Sequence, residues 1–225
     1  MIPAPDPRER LRRARLMLLF TPALCGGRDP LVVLERALPH LDAVQVRVKD
    51  PAAPGGPSPA RALLDWTLAV LARAAARPEP RPLVLVNDRA DVAAALRSEG
   101  VDGVHLGAED MAPEEARALL GPRPLIGLST HSTAEVLAAE ERGVDYLGFG
   151  PIHPTPTKGY ARGLGWEAAW IAAAATPLPV FPIGGIDLPN ADELAPVGRA
   201  AVCAAVLGAA DPGEAARLLR LALGG

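Results

Sequence analysis

The chain has 225 residues, 49% hydrophobic and 22% charged, with 22 Gly and 25 Pro; this is ordinary globular composition, which excludes disordered and fibrous classes, and the length allows one large domain. With 23 basic and 26 acidic residues the formal net charge is −3, so no electrostatic excess exists to carry affinity for nucleic acid or an anionic membrane surface. The two cysteines, Cys25 and Cys203, form neither a disulfide framework nor a metal spacing; both read as small buried residues, and their scarcity points to a reducing, cytoplasmic setting.

The N-terminus, MIPAPDPRERLRRARLMLLF, puts its prolines and charges first, and its apolar run breaks at Pro22, which is not a secretory pattern. Within residues 1–15 the arm RERLRRAR (8–15) reads as a solvated amphipathic helix that closes the bottom of the fold, with a partner-binding element as the alternative. Short apolar, β-favouring runs then recur: LMLLF (16–20), AVQVRV (43–48), PLVLV (82–86), GVHL (103–106), LIGLS (125–129), YLGFG (146–150), VFPIG (180–184) and AAVCAAV (200–206). Between most of them lie helix-patterned stretches that stop at glycine, such as RADVAAALRSEG, APEEARALLG and STAEVLAAEERG. The Pro/Gly-rich stretch KDPAAPGGPSPARA (49–62) reads as a loop over the active face. Residues 168–186 carry no charge, but prolines 177, 179 and 182 and a Gly-Gly pair make them a helix end and a buried strand, not a membrane span.

Runs that are apolar throughout, without alternation, belong to strands covered on both faces, hence to a parallel sheet of βα units. Eight units in this length predict a single α/β domain over 1–225, a (β/α)8 barrel. An open doubly wound sheet is the alternative, but no GxGxxG follows the first run.

In such a barrel, residues at the C-terminal ends of strands and in the loops after them build the active site. Gln45, Arg47 and Lys49 alternate along the second run and so share the interior side. Buried cations are costly unless paired, which calls for an anionic ligand or for a salt-bridged core. The third run ends in Asn87-Asp88 and the fourth leads to Glu109-Asp110. Carboxylates from neighbouring strands, with cations nearby, suit Mg²⁺ held also by substrate phosphates; alone, Asp88 would serve equally as an N-cap. After the fifth run, Ser132 or Thr133 can cap the next helix, which leaves Ser129 as a ligand, while His131 is either a general base or a rim residue holding a loop. The segment GPIHPTPTKG (150–159) presents Thr155, Thr157 and Lys158 from a proline-stiffened backbone, a group suited to phosphate oxygens. Gly184-Gly185 after the seventh run and Gly208 after the eighth suit a phosphate gripped by backbone N–H groups. Two anion sites emerge, one fitting a diphosphate with a metal and one a monophosphate, the pattern of a transferase joining two phosphorylated substrates.

The segments QVRVK, VNDRADVAAALRSEGVDGVHLGAEDM, IGLSTHSTAEVLAAEERGVDYLGFGPIHPTPTKG and PIGGI occur in this order, and from about residue 43 to the C-terminus the chain closely resembles the thiamine-phosphate synthase family. The resemblance implies a Mg²⁺-dependent barrel enzyme that couples 4-amino-2-methyl-5-hydroxymethylpyrimidine diphosphate to a thiazole phosphate and releases diphosphate. It implies Gln45 on the pyrimidine; Arg47, Lys49, Asn87, Ser129 and Lys158 on the diphosphate; Asp88 and Asp110 on the metal; and Thr155, Thr157 and Gly185 on the thiazole phosphate. Arg47, Lys49, Ser129 and Lys158 are the expected catalytic set, and the partners are small molecules only. The chain departs from the family at Ala108, where Gln is usual; at His40-Leu-Asp-Ala, where the second strand is usually entered by Gly-Gly-Val; and at Val206, aligned with a strand-eight Ser. The alternatives are a thiazole tautomerase of the same scaffold, with His131 as base, and a non-catalytic phosphate-binding regulator.

Overall fold

The computed structural model describes residues 6–48, 58–77, 80–154 and 162–224. Its strands are β1 (Leu16–Phe20), β2 (Ala43–Val46), β3 (Leu83–Asn87), β4 (Gly103–Leu106), β5 (Leu125–Thr130), β6 (Tyr146–Phe149), β7 (Val180–Pro182) and β8 (Ala200–Val202). They form one parallel sheet in the order β7-β6-β5-β4-β3-β2-β1-β8, and a bridge between Ile183 and Ala201 joins its two ends. The result is the expected eight-stranded barrel. Around it lie α1 (Pro7–Arg13), α2 (Pro30–Ala37), α3 (Pro59–Ala75), α4 (Ala90–Ala95), α5 (Pro113–Leu120), α6 (Thr133–Glu140), α7 (Trp166–Ala174), α8 (Ala204–Leu207) and α9 (Pro212–Ala222).

The abundant prolines have a use here. Helices α1, α2, α3, α5 and α9 each begin on one, at the position where the missing N–H costs nothing. Asp6, Asp29, Ser58 and Asp211 cap four of these helices by accepting from first-turn N–H groups.

Strand residues divide by parity into two cores. Leu16, Leu18, Val44, Val84, Ile126 and Leu147 pack outward against the helices, whereas Met17, Leu19, Leu85, Leu125, Tyr146 and Phe181 fill the barrel. Both faces are dry, which is why the runs do not alternate. Interior volume is shared between neighbouring strands: a Cβ on Gly127 would sit 2.1 Å from the Tyr146 ring, and one on Gly148 would sit 3.0 Å from the His105 ring.

The bottom of the barrel is held by three aspartates placed just before β2, β4 and β6. Asp42 accepts from the backbone of Arg15 and Leu16 and pairs with Arg220. Asp102 accepts from Val84 N–H at 2.8 Å and pairs with Arg81 and Arg10. Asp145 accepts from Ile126 N–H at 2.8 Å and pairs with Arg117 and Arg8. Each therefore ties the start of its own strand to the start of the preceding one. The N-terminal arm closes the bottom as expected, with Leu11 buried, but Arg8 and Arg10 are ion-paired and not merely solvated.

Strand limits shift by one or two residues at β3, β5, β6 and β7, and three further boundaries bear on the site. Strand β2 ends at Val46, although Arg47 N–H still bonds to Phe20 O at 2.9 Å. In 49–62, Pro59–Ala62 form the first turn of α3 and not a loop, because Ser58 caps it; residues 49–57 lie outside the described residues. Strand β8 ends at Val202, since Leu207 N–H bonds to Cys203 O and turns the chain into α8. Gly208 therefore terminates α8 and does not follow the strand. The uncharged stretch 168–186 is the end of α7 followed by β7, and among the described residues no helix is long and apolar enough to cross a membrane.

Asp102 is 5% exposed at its side chain. Replacing it by Ala removes the ion-pair partner of Arg10 and Arg81 and the acceptor of one backbone N–H, so Asp102→Ala should lower the unfolding free energy by about 3 kcal/mol in a denaturant titration; a loss below about 0.5 kcal/mol would show that the aspartates do not hold the bottom.

Candidate active site

A cavity of about 540 Å³ opens at the C-terminal ends of the strands. Its wall on the β3–β4 side carries Asn87, Asp88 and Asp110, together with Arg47 from the end of β2. Among the described residues Asp88 is the one non-glycine with positive φ, 65°. Asp tolerates this left-handed conformation better than most residues, and such strain gathers at functional positions. Asp88 N–H donates to His105 O at 2.7 Å, which fixes the turn. Asp88 is not an N-cap, because α4 is preceded by Arg89. Asp110 Oδ2 accepts from Gly107 N–H at 2.7 Å, folding the β4–α5 loop back on itself, with Ala108 and Glu109 also on the cavity wall.

The floor is a set of buried polar side chains. Gln45 is 2% exposed, and its amide donates towards Met17 Sδ. The Tyr146 hydroxyl lies 3.1 Å from His105 Nδ1, and His105 Nε2 lies 3.0 Å from Ser129 Oγ. Burial pushes the Tyr146 phenol far above its ordinary value, so it stays neutral. Ser132 caps α6 through Glu135 N–H, which leaves Ser129 to the cavity as expected. His131 Nδ1 bonds to Gly150 O, so the ring ties the end of β5 to the end of β6.

The opposite wall is backbone. Gly184 and Gly185 have φ of 102° and 67°, and a Cβ on either would fall within 2.7 Å of Pro151 or His153 atoms. Only glycine fits there. Asn190 fastens the turn by donating to Gly185 O and accepting from Asp187 N–H, each at 2.9 Å. Cys203, Ala204 and Ala205, at the entry to α8, complete this wall.

Of the sequence-predicted residues, Gln45, Arg47, Asn87, Asp88, Asp110, Ser129 and Gly185 meet in the one cavity. Lys49, Thr155, Thr157 and Lys158 lie outside the described residues. Two expectations are corrected by the early end of β8. Val206 is buried inside α8 and so does not stand at the strand end, where the next residue is Cys203. Cys203 is not fully buried either, although its Sγ–H donates to Leu19 O and burial raises the thiol's pKa. The departure at His40-Leu-Asp-Ala falls at the barrel bottom, where Asp42 is a structural anchor. His105 and Tyr146 also line the cavity, and the sequence signals them only by a histidine inside an otherwise apolar strand run, GVHL.

Residues 16–207 match the family model described as thiamine monophosphate synthase. The chain belongs to the thiamine monophosphate synthase family. It is 44% identical over 220 residues to a thiamine-phosphate synthase of Anaeromyxobacter dehalogenans, covering 94% of this chain and 90% of that protein. It is also 44% identical over 212 residues to that of Thermus thermophilus, covering 92% and 95%. The solved thiamine phosphate pyrophosphorylase of Pyrococcus furiosus superimposes with a TM-score of 0.78 at 33% identity, over 96% of this chain and 97% of that one. A 3-hexulose-6-phosphate synthase, at 15% identity and a TM-score of 0.64 over 92% and 99% of the two chains, shares the fold alone. The synthase family is one of transferases, and this chain is a transferase.

The strained turn at Asp88 can be separated from its charge. Asn also tolerates the left-handed region, so Asp88→Asn should leave the unfolding free energy within about 0.5 kcal/mol, whereas Asp88→Ala should cost about 1 kcal/mol. Equal stability of the two variants in chemical denaturation would contradict the backbone argument.

Proposed function

We propose that the protein couples 4-amino-2-methyl-5-hydroxymethylpyrimidine diphosphate to a thiazole phosphate, releasing diphosphate and thiamine phosphate. One observation carries this reading: a single cavity has two differently built ends. Carboxylates, an amide and a cation line the β2–β4 side, while exposed glycine backbone and the entry to α8 line the β7–β8 side. The first composition suits a metal-bound diphosphate, the second a monophosphate held by N–H groups. On the same reading the 225 residues act as one domain in the cytoplasm, with small molecules as partners and neither nucleic acid nor membrane.

The donor set fits Mg²⁺. Asp88 and Asp110 reach the cavity from successive strands, and among the described residues no group of three or more His, Cys, Asp or Glu forms an all-protein cage. Two carboxylates that leave room for phosphate and water oxygens suit a hard, reluctantly dehydrated cation. Asp88 and Asp110 would hold it, and the ion when bound supplies positive charge against the leaving diphosphate.

In the reaction the carbon–oxygen bond to diphosphate breaks with its electron pair on oxygen. The resulting pyrimidinylmethyl cation is spread over the aminopyrimidine ring, and the thiazole nitrogen lone pair forms the new carbon–nitrogen bond. Arg47, Asn87 and Ser129 donate to the departing anion, and Lys49 and Lys158 are assigned with them on the family resemblance. Gln45 faces the pyrimidine, while Gly185, Thr155 and Thr157 hold the thiazole phosphate. No side chain takes a proton from carbon. The bond from His131 to Gly150 O supports a loop-holding role for that residue.

Purified protein incubated with both substrates and Mg²⁺ should yield thiamine phosphate and diphosphate in equal amounts, and excess chelator or Asp110→Asn should lower turnover by at least about 100-fold. Undiminished activity in chelator would remove the metal from the account. His131→Asn should retain coupling within about tenfold, since it loses one hydrogen bond of about 1 kcal/mol. A folded but inactive His131→Asn, with no diphosphate released by the unsubstituted protein, would favour the tautomerase, whose base contributes about 10²- to 10⁴-fold.

A further inference from the structure

The scheme above uses Ser129 and leaves His105 without a role. Yet His105 touches Ser129 with one ring nitrogen and Tyr146 with the other, at 3.0 and 3.1 Å. Three side chains from β4, β5 and β6 thus form one connected path ending at the cavity. The ring is seated over Gly148 and against Tyr146, centroid to centroid 5.4 Å, so its orientation is set by packing.

The proton order along the path follows from what each group has to give. Tyr146 is kept neutral by burial and so retains one proton, and the acceptor beside it is His105 Nδ1. A neutral imidazole that accepts at Nδ1 carries its hydrogen at Nε2, where Ser129 Oγ receives it. The Ser129 hydrogen is then directed into the cavity. In the opposite order Ser129 would spend its proton on His105 and present only lone pairs, which repel an anion.

We propose that His105 is a positioning residue that holds the Ser129 hydroxyl as a hydrogen-bond donor towards the diphosphate end of the cavity, through a donor chain that starts at Tyr146. This rests on the function proposed above, which supplies the diphosphate as the partner of Ser129. Successive bonds of the same sense polarise one another. The donor is therefore strongest where negative charge grows, on the leaving oxygen, and its loss falls on kcat and not on thiazole phosphate KM.

The experiment is a double-variant cycle in steady-state kinetics, with both substrates and Mg²⁺. His105→Phe and Ser129→Ala should each lower kcat by about 10- to 100-fold with the thiazole phosphate KM changed less than about twofold. The double variant should be no more than about threefold worse than the poorer single one, because both remove the same donor. His105→Gln, whose amide nitrogen can serve Ser129, should recover part of the loss. Should His105→Phe not fold, Tyr146→Phe, which removes one oxygen, enters the same cycle with Ser129→Ala and is expected to show the same non-additivity. Losses that multiply in the double variant, or an unchanged kcat in His105→Phe, would overturn the proposal while leaving the function intact. Absence of diphosphate release by the unsubstituted protein would overturn both.

Discussion

Filling the inside of a parallel barrel without stranding a polar group is the constraint on which the site depends. The largest buried ring of the interior, Tyr146, occupies volume that Gly127 gives up on the adjacent strand, and His105 leans over Gly148 in the same way. Their polar atoms are paired with each other and with Ser129. A buried polar group left unpaired costs on the order of 1–3 kcal/mol, so this layer fixes rotamers as well as filling space. It forms a rigid floor, and the cavity above it can be built from loops.

The two ends of the barrel are specialised accordingly. Three aspartates at the starts of even-numbered strands tie the bottom together through arginines and strand N–H groups. They secure register where no chemistry occurs. At the top, stability is given up locally: Asp88 sits at positive φ, and the Gly184-Gly185 turn leaves no room for side chains. Conformational strain and bare backbone are tolerated there because the bottom and the floor hold the strands in place.

The barrel was legible because both faces of its strands are buried, which writes β1 into the sequence as an uninterrupted apolar run and β4 as a run broken by His105, both with their observed limits. The same property hid the end of β8, since Val206 and Leu207 in the following helix are as buried as the strand itself. The places of Asn87, Asp88, Asp110 and Ser129 on the cavity wall were legible because polar residues at strand ends have few structural uses. The role of His105 was not, as a histidine within an apolar strand looks alike whether it satisfies a core or orders a hydroxyl. The anchoring aspartates share a pattern, an apolar residue then Asp before Ala43, Gly103 and Tyr146. It becomes meaningful only once the strand pairing is known.

A division of one cavity into a carboxylate-lined end and a backbone-lined end is the central claim. It is tested most directly by a crystal structure of the protein with thiamine phosphate, diphosphate and Mg²⁺. The account predicts diphosphate against Asn87, Asp88, Asp110 and Ser129, and the ester phosphate on Gly184, Gly185 and the first residues of α8. Density for the ester phosphate at the aspartate end, or for both groups at one end, would contradict it.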